Sequence, residues 1–381
     1  MPRLIATYRL RCARAQADAM AEAIALEQSV EVPMAAVREP WVRDEVVGRV
    51  ESVSESGDGA FLARIALADV TMGTGTGAGF DAAQTINMLF GNSSLHDNVE
   101  LLDVELPEGH ARHFAGPRFG APGLRRLLDA PARALTCTAI KPQGLPVDKL
   151  AALCEVFVRG GVDIIKDDHG MADQAYAPFA RRVAACQRAV ERACRETGRR
   201  ALYAPSMVGA PRALAEQARI VREEGVGAVL LAPALVGMPA FHELVQEEIR
   251  VPVLAHPAYA GAARVAPPLL LGRLFRLLGA DAVIYPNYGG RFAYSEALCR
   301  GIAEAALSPW QGLAPILPVP AGGMTVERVP EMLRFYGRDV MLLIGGSLLV
   351  AGDGSPELAP ELLARTRAFT EAAAQDPAAA R

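Results

Sequence analysis

The sequence predicts an α/β protein, a (β/α)₈ TIM barrel preceded by an α+β ferredoxin-like N-terminal domain. Three observations lead there. From about residue 126 onward one pattern recurs eight times: a short β-rich apolar run, turn residues, then an amphipathic stretch of helical length. The runs are apolar almost throughout instead of alternating, as strands of a parallel sheet covered on both faces must be. The turn after the first of them, in ALTCTAIKPQG, lacks the glycine-rich signature that an open dinucleotide-binding sheet carries there, so eight units argue for closure into a barrel.

In chain order, LIATYRLRC reads as a strand and ADAMAEAIALEQSV as a helix. VVGRVESVSE and FLARIALA read as strands around the turn SGDG, AAQTINMLFGN as a helix and VELLDVELP as a strand. This βαββαβ order predicts a split-βαβ domain over residues 1–125. GPRFGAPG reads as a Gly/Pro-rich connection to the barrel, over residues 126–381. The predicted barrel strands are ALTCTAIK (134–141), VDIIKDD (162–168), ALYAPSMV (201–208), GAVLLAPA (227–234), VPVLAHPA (251–258), DAVIYPN (281–287), PILPVPAGG (315–323) and DVMLLIGG (339–346). Between them lie helical stretches such as LPVDKLAALCEVFVRGG, where Leu150, Cys154 and Phe157 recur at spacings of 4 and 3, and PFARRVAACQRAVERACRETG. The terminal EAAAQDPAAAR is low in complexity and is expected to fray.

Composition narrows the partners. With 22% charged residues, a net charge of −4 and no long run of one sign, the chain gives no reason to expect nucleic acid or an anionic membrane. No apolar run is long enough to span a bilayer. Six scattered cysteines without a C-x-x-C pair, and no secretory leader after MPRLIATYRL, predict a reduced cytoplasmic protein acting on a small molecule.

In a barrel the C-terminal strand ends face the site, so the polar residues there are the candidates. They are Lys141, Lys166, Asp168, His169, Ser206, His256 and Asn287, with the glycine pairs Gly322–Gly323 and Gly345–Gly346. Alternation puts Lys166 and Asp168 on one face and Asp167 on the other. Charges converging there need compensation. Either Lys166 pairs with Asp168 as an ammonium, or it carries CO₂ as a carbamate and joins Asp168 and His169 around a divalent metal that polarises a carbonyl. The two glycine pairs suit a phosphate cradle of free N–H groups, although glycines also make ordinary βα turns. His256 is either a core histidine on a backbone carbonyl or an acid/base facing the substrate. His96, His110, His113 and His242 are expected to be solvated.

Taken together these segments resemble the ribulose-bisphosphate carboxylase large-chain family, and more closely its carboxylase-like, form IV type members. GGVDIIKDDHG resembles the family's carbamylation and metal segment, TAIKPQG its catalytic-lysine strand and NYGGRF its flexible loop after the sixth strand. LFGN resembles the segment that completes a neighbouring subunit's site, and PAGGM and IGGSL the phosphate turns. The resemblance implies Lys166 as the carbamylated lysine, Asp168 as metal ligand and Lys141 as the lysine handling protons at the enolised carbon. It implies Asn92, and with a weaker local match Glu27, as contributions across a homodimer or a multiple of dimers, and Gly322, Gly323, Gly345 and Gly346 as phosphate contacts.

The departures matter equally. His169 stands where the family usually has glutamate, which disfavours Mg²⁺ relative to Mn²⁺, Fe²⁺ or Zn²⁺, or leaves the position to water. Pro257, Ala260 and Ile284 replace the cationic cluster of the second phosphate, so a monophosphate substrate is expected. Arg291 stands in place of the loop lysine and counts with Lys141 and His256 among the catalytic candidates, although it keeps the charge without the point-donor geometry; Gln143 stands in place of a lysine two residues after Lys141. CO₂ fixation on ribulose bisphosphate is therefore not expected. The sequence leans toward decarboxylation of a phosphorylated 3-oxo sugar acid, with isomerisation or enolisation of a methylthio-ketopentose phosphate as the alternative. Non-catalytic binding of a phosphometabolite and Schiff-base chemistry on Lys141 or Lys166 are the rivals.

Overall fold

The computed structural model describes residues 1–73, 79–114, 116–352, 355 and 358–375; residues 376–381 of the terminal segment lie outside the described residues. The chain divides into two units, one of Met1–Phe114 with Gly261–Leu270 and Trp310–Leu313, the other of Ala115–Ala260, Leu271–Pro309 and Ala314–Arg381.

The first unit contains β1 (Arg3–Leu10), α1 (Arg14–Glu27), β2 (Arg49–Glu55), β3 (Phe61–Ala68), α2 (Ala82–Phe90) and β4 (Val99–Glu105). The sheet order is β2-β3-β1-β4, with β1 antiparallel to both its neighbours, which is the predicted ferredoxin-like arrangement. Along β1 the buried Leu4, Ala6, Tyr8 and Leu10 alternate with partly exposed residues, as a strand covered on one face requires. Helix α2 starts where the Asp81 carboxylate accepts the Gln84 N–H at 2.7 Å. It stops at Gly91, where a Cβ would lie 2.5 Å from the Asn87 carbonyl oxygen, so glycine alone lets the chain turn into Asn92. Two later segments return to this unit: Ala266 N–H donates to the Leu101 carbonyl at 2.8 Å, and Gln311 Nε2 to that of Leu106 at 2.8 Å.

The second unit is the barrel. Its strands are β5 (Leu135–Ile140), β6 (Ile164–Asp167), β7 (Leu202–Ala204), β8 (Val229–Leu231), β9 (Val253–Ala255), β10 (Ala282–Pro286), β11 (Leu317–Ala321) and β12 (Met341–Leu343). All eight fall inside the predicted segments. Parallel ladders run β12-β5-β6-β7 and β8-β9-β10-β11, a bridge between Ser206 and Leu230 links the two sets, and β11 runs beside β12. The interior is filled by side chains from every strand, among them Cys137, Ile164, Ala204, Leu230, Leu254, Ile284, Val319 and Met341. Such filling makes the barrel a packed core and leaves chemistry to the strand ends.

The supposed connector GPRFGAPG is partly helical, because α3 (Gly120–Leu128) begins inside it. Its cap is tertiary: the buried Asp281 carboxylate, at the start of β10, accepts the N–H groups of Phe119 and Gly120 at 2.7 Å each. Leu124 and Leu128 of α3 pack into the barrel core beside Leu135 and Met341. A cap 161 residues away leaves no local signature. No helix among the described residues is long and apolar enough to cross a membrane.

Candidate active site

Strand β6 is buried along its whole length, and its alternation divides two jobs. Asp167 faces away from the barrel interior toward α5 (Phe179–Thr197). Its carboxylate accepts Arg182 Nε at 3.1 Å, the Tyr203 hydroxyl at 2.7 Å and the Ser206 N–H at 3.0 Å. Arg182 and Asp167 are both fully buried, so each is the other's compensation. The remaining Arg182 donors reach the carbonyls of Ala177 at 2.6 Å and Ala172 at 2.8 Å, which ties down the loop following the charged segment. Sequence reasoning missed Arg182. Its signal was a lone arginine at helical spacing among Phe179, Val183 and Cys186, all buried.

Lys166 points the other way and is 4% exposed, with Nζ donating to the Asp167 carbonyl at 3.0 Å. Burial lowers its pKa, and the neighbouring Lys141 cation adds to that effect. The expected alternation therefore holds, but the expected ammonium pair of Lys166 with Asp168 does not form. Asp168 pairs instead with Lys141 Nζ, while its other oxygen meets His169 Nδ1 at 2.9 Å and accepts the Gly170 N–H at 3.1 Å. Burial pushes the Asp168 carboxyl upward, but the bonds from His169 and Lys141 outweigh it and hold the group well below the usual carboxylate range.

The His169 and His256 rings stack at 4.4 Å with an interplanar angle of 9°. His256 Nδ1 accepts the Ala258 N–H at 3.1 Å, which leaves the proton of the neutral ring on Nε2. Burial, the Lys166 cation and then His169 depress its pKa to about 2, so His256 is a neutral donor. Among the described residues no three His, Cys, Asp or Glu side chains gather to hold a metal. Asp168 supplies one carboxylate there, and Lys166 as an ammonium ligates nothing.

Gly322 and Gly323 adopt φ of +83° and +92°, a region that side chains rarely occupy. Gly345 lies against the Lys141 stem, 3.8 Å separating its would-be Cβ from Lys141 Cε. The two glycine turns are joined by Ser347 Oγ donating to the Met324 carbonyl at 2.8 Å. Among the described residues the N–H groups of Gly322, Gly323 and Gly345 have no hydrogen-bond acceptor. Arg291 lies next to them, its N–H donating to the Gly322 carbonyl at 3.1 Å. Lys141, Lys166, Asp168, His169, His256, Gly345 and Gly346 thus gather at the strand ends of the barrel, with Arg291 and Gly322–Gly323 tied on through Ser347.

Other candidates are placed differently. Asn287 is fully buried and accepts the Tyr336 hydroxyl at 2.7 Å, a support behind the strand end. Ser206 is buried and serves Asp167 through its backbone. Asn92, in the first unit, is exposed; its Nδ2 donates to Glu27 at 2.8 Å and Glu31 at 3.1 Å. The expectation that His110 and His242 are solvated fails. His110 packs on Phe80 at 3.9 Å between ring centroids, and His242 Nδ1 lies 3.3 Å from the Leu278 carbonyl. Both sit on apolar faces that single-residue reasoning cannot orient.

Comparison with known proteins points one way. The profile of the ribulose bisphosphate carboxylase large chain, catalytic domain, matches residues 120–284. The chain is 52% identical to a 5-methylthioribulose-1-phosphate isomerase of Rhodospirillum rubrum over 352 residues, 92% of each chain. It is 33% identical to a 2,3-diketo-5-methylthiopentyl-1-phosphate enolase of Geobacillus thermodenitrificans, over 93% of this chain and 89% of the enolase. The crystal structure of a Rubisco-like protein from Rhodopseudomonas palustris superposes with a TM-score of 0.88 at 46% identity, covering 98% of both chains.

Two outcomes follow from this geometry. Arg182→Met leaves Asp167 buried and uncompensated and lowers unfolding stability by about 3–5 kcal/mol. Adding Asp167→Leu recovers part of the loss, as a urea-denaturation double-mutant cycle will read. The depressed pKa of His256 means the unfolded chain binds the extra proton, so stability is present above the unfolded value of about 6.5 and is lost as pH falls below it. Between pH 7.5 and 5.5 His256→Gln should lose about 1 kcal/mol less than the wild type in the same assay.

Proposed function

Because the chain belongs to the ribulose bisphosphate carboxylase large-chain family and stands among its carboxylase-like members, we propose that it is an isomerase of 5-methylthioribulose 1-phosphate that works through an enediolate. The observation that carries the reading is the 52% identity, over 92% of both chains, to an isomerase of that compound. Decarboxylation, toward which the sequence leans, finds no support in the relatives compared. The isomerase alternative does, and the enolase relative shares its first requirement, an enolised sugar phosphate carbon.

The compound is a 2-ketose, so removing a proton from a carbon beside the carbonyl gives an enediolate, and returning it elsewhere gives an isomer. That needs a base, a donor to the carbonyl oxygen, an anchor for one phosphate and compensation for the developing charge. In our reading Lys141 is the base. It stands at the strand end beside Gly345, and it must leave Asp168 to take a proton. His256 offers its Nε2–H to the oxygen. The unpaired N–H groups of Gly322, Gly323 and Gly345, with Gly346 and the Arg291 guanidinium, receive the phosphate.

The residues fit a divalent metal only with Lys166 carbamylated. Burial favours the neutral amine, the form that reacts with CO₂, and the product would be a second anionic oxygen ligand beside Asp168, with His169 as a third. Mg²⁺ is the family's expected ion, and the imidazole also suits Mn²⁺ or another transition metal. When bound, the ion supplies polarisation of the carbonyl and charge for the enediolate. Were Asp168 to hold such an ion, it would no longer be the partner of Lys141, whose amine would then be available for proton transfer. Asn92, its Nδ2 held by Glu27 and Glu31, is proposed to complete the site of a second copy in a homodimer.

Incubation of the full chain with 5-methylthioribulose 1-phosphate in D₂O, with bicarbonate and Mg²⁺ or Mn²⁺, should give deuterated isomer by NMR. Lys141→Met should slow it about 10³-fold. No deuterium and no new ketose with folded wild-type protein would overturn the proposal.

A further inference from the structure

The segment after β10, Asn287 to Tyr294, is held from two sides. On one side Arg328 closes on it from the turn that precedes the helix Val329–Tyr336. Its Nη1 donates to the carbonyls of Tyr288 and Gly289 at 3.3 Å each, and Nη2 reaches the Tyr288 carbonyl at 3.3 Å. Its other edge holds Glu331, Nε and Nη2 each 3.0 Å from one carboxylate oxygen. The guanidinium also lies 5.4 Å above the Tyr288 ring. All the N–H donors that an arginine possesses are thereby used, and Glu331 neutralises its charge. Arg328 is built to hold the loop and has nothing left for a ligand.

On the other side the loop is fastened to β11 and its glycine turn. Asn287 N–H donates to the Ala321 carbonyl at 2.8 Å and Arg291 N–H to that of Gly322 at 3.1 Å. Gly290 approaches so closely that a Cβ there would lie 2.0 Å from the Gly322 oxygen. The Phe292 ring covers Gly322, 3.3 Å from where a Cβ would stand, and the Arg291 guanidinium lies 5.7 Å from that ring's centre.

We infer that Arg328 is a positioning residue: it clasps the loop after β10 and so fixes Arg291 and the Gly322–Gly323 turn as one preformed anion-binding ledge. The inference rests on the proposed function for what the ledge binds, and on geometry alone for the clasp. Lysine cannot replace the fork, since one ammonium cannot span two carbonyls and a carboxylate while covering a ring.

Hydrogen exchange of the full-length protein without ligand tests the clasp. In Arg328→Met, peptides covering residues 287–294 should exchange about tenfold faster while distant peptides are unchanged, with Arg328→Lys in between. Should the Met variant fail to fold, the Lys variant carries the comparison. On 5-methylthioribulose 1-phosphate both variants should raise KM about fivefold or more with kcat within about twofold. Unchanged exchange in the loop overturns the clasp, and faster exchange with an unmoved KM overturns the positioning of Arg291. Absent turnover in the wild type counts against the isomerase reading, leaving exchange to decide the clasp.

Discussion

The buried ion pair of Asp167 and Arg182 is the constraint on which the site depends. A strand that ends in four consecutive polar residues would, left to itself, unravel toward water. Here the outward member is locked by Arg182, Tyr203 and Ser206, and Arg182 also grips two carbonyls of the following loop. With Asp167 immobilised, alternation leaves Lys166 no direction but inward, where its ammonium finds one backbone carbonyl at 3.0 Å. A fully desolvated pair is a poor source of net stability, yet breaking it strands a charge, so it imposes one conformation on its neighbours.

The mouth of the barrel then has a charge problem that explains its arrangement. Among the described residues, two lysines and two histidines gather around one carboxylate, Asp168. Lys141 and His169 share that carboxylate, His256 stays neutral, and burial biases Lys166 toward the neutral amine. Such a site lacks negative charge. Under the proposed function, addition of CO₂ to the neutral Lys166 amine, with release of one proton to solvent, would give an anion there and make room for a divalent ion, relieving the imbalance with no other residue changed. The pairing of Lys141 with Asp168 is what the same residues do without that addition.

Much of this was legible in the sequence, for reasons that are local. The eight barrel strands announce themselves as apolar runs, and the ferredoxin-like order follows from the alternation of two periodicities. Lys141, Lys166, Asp168 and His256 were legible because a buried strand has no structural use for such endings. What escaped depends on distant contacts. Helix α3 is capped by Asp281, 161 residues away in sequence, and Gly261–Leu270 returns to the first unit through hydrogen bonds to Leu101. Asn287 looked like a site residue until Tyr336 claimed it. Arg182 and Arg328 act through backbone carbonyls, which the sequence does not display.

The central claim is that Lys166 carries the missing negative charge. A crystal structure of the protein grown with bicarbonate and Mg²⁺ or Mn²⁺ tests it most directly. The account predicts density for a carbamate on Lys166 Nζ, an ion shared with Asp168, and Lys141 withdrawn from Asp168. A bare Lys166 still donating to the Asp167 carbonyl, with Lys141 on Asp168 and no ion between them, would contradict it.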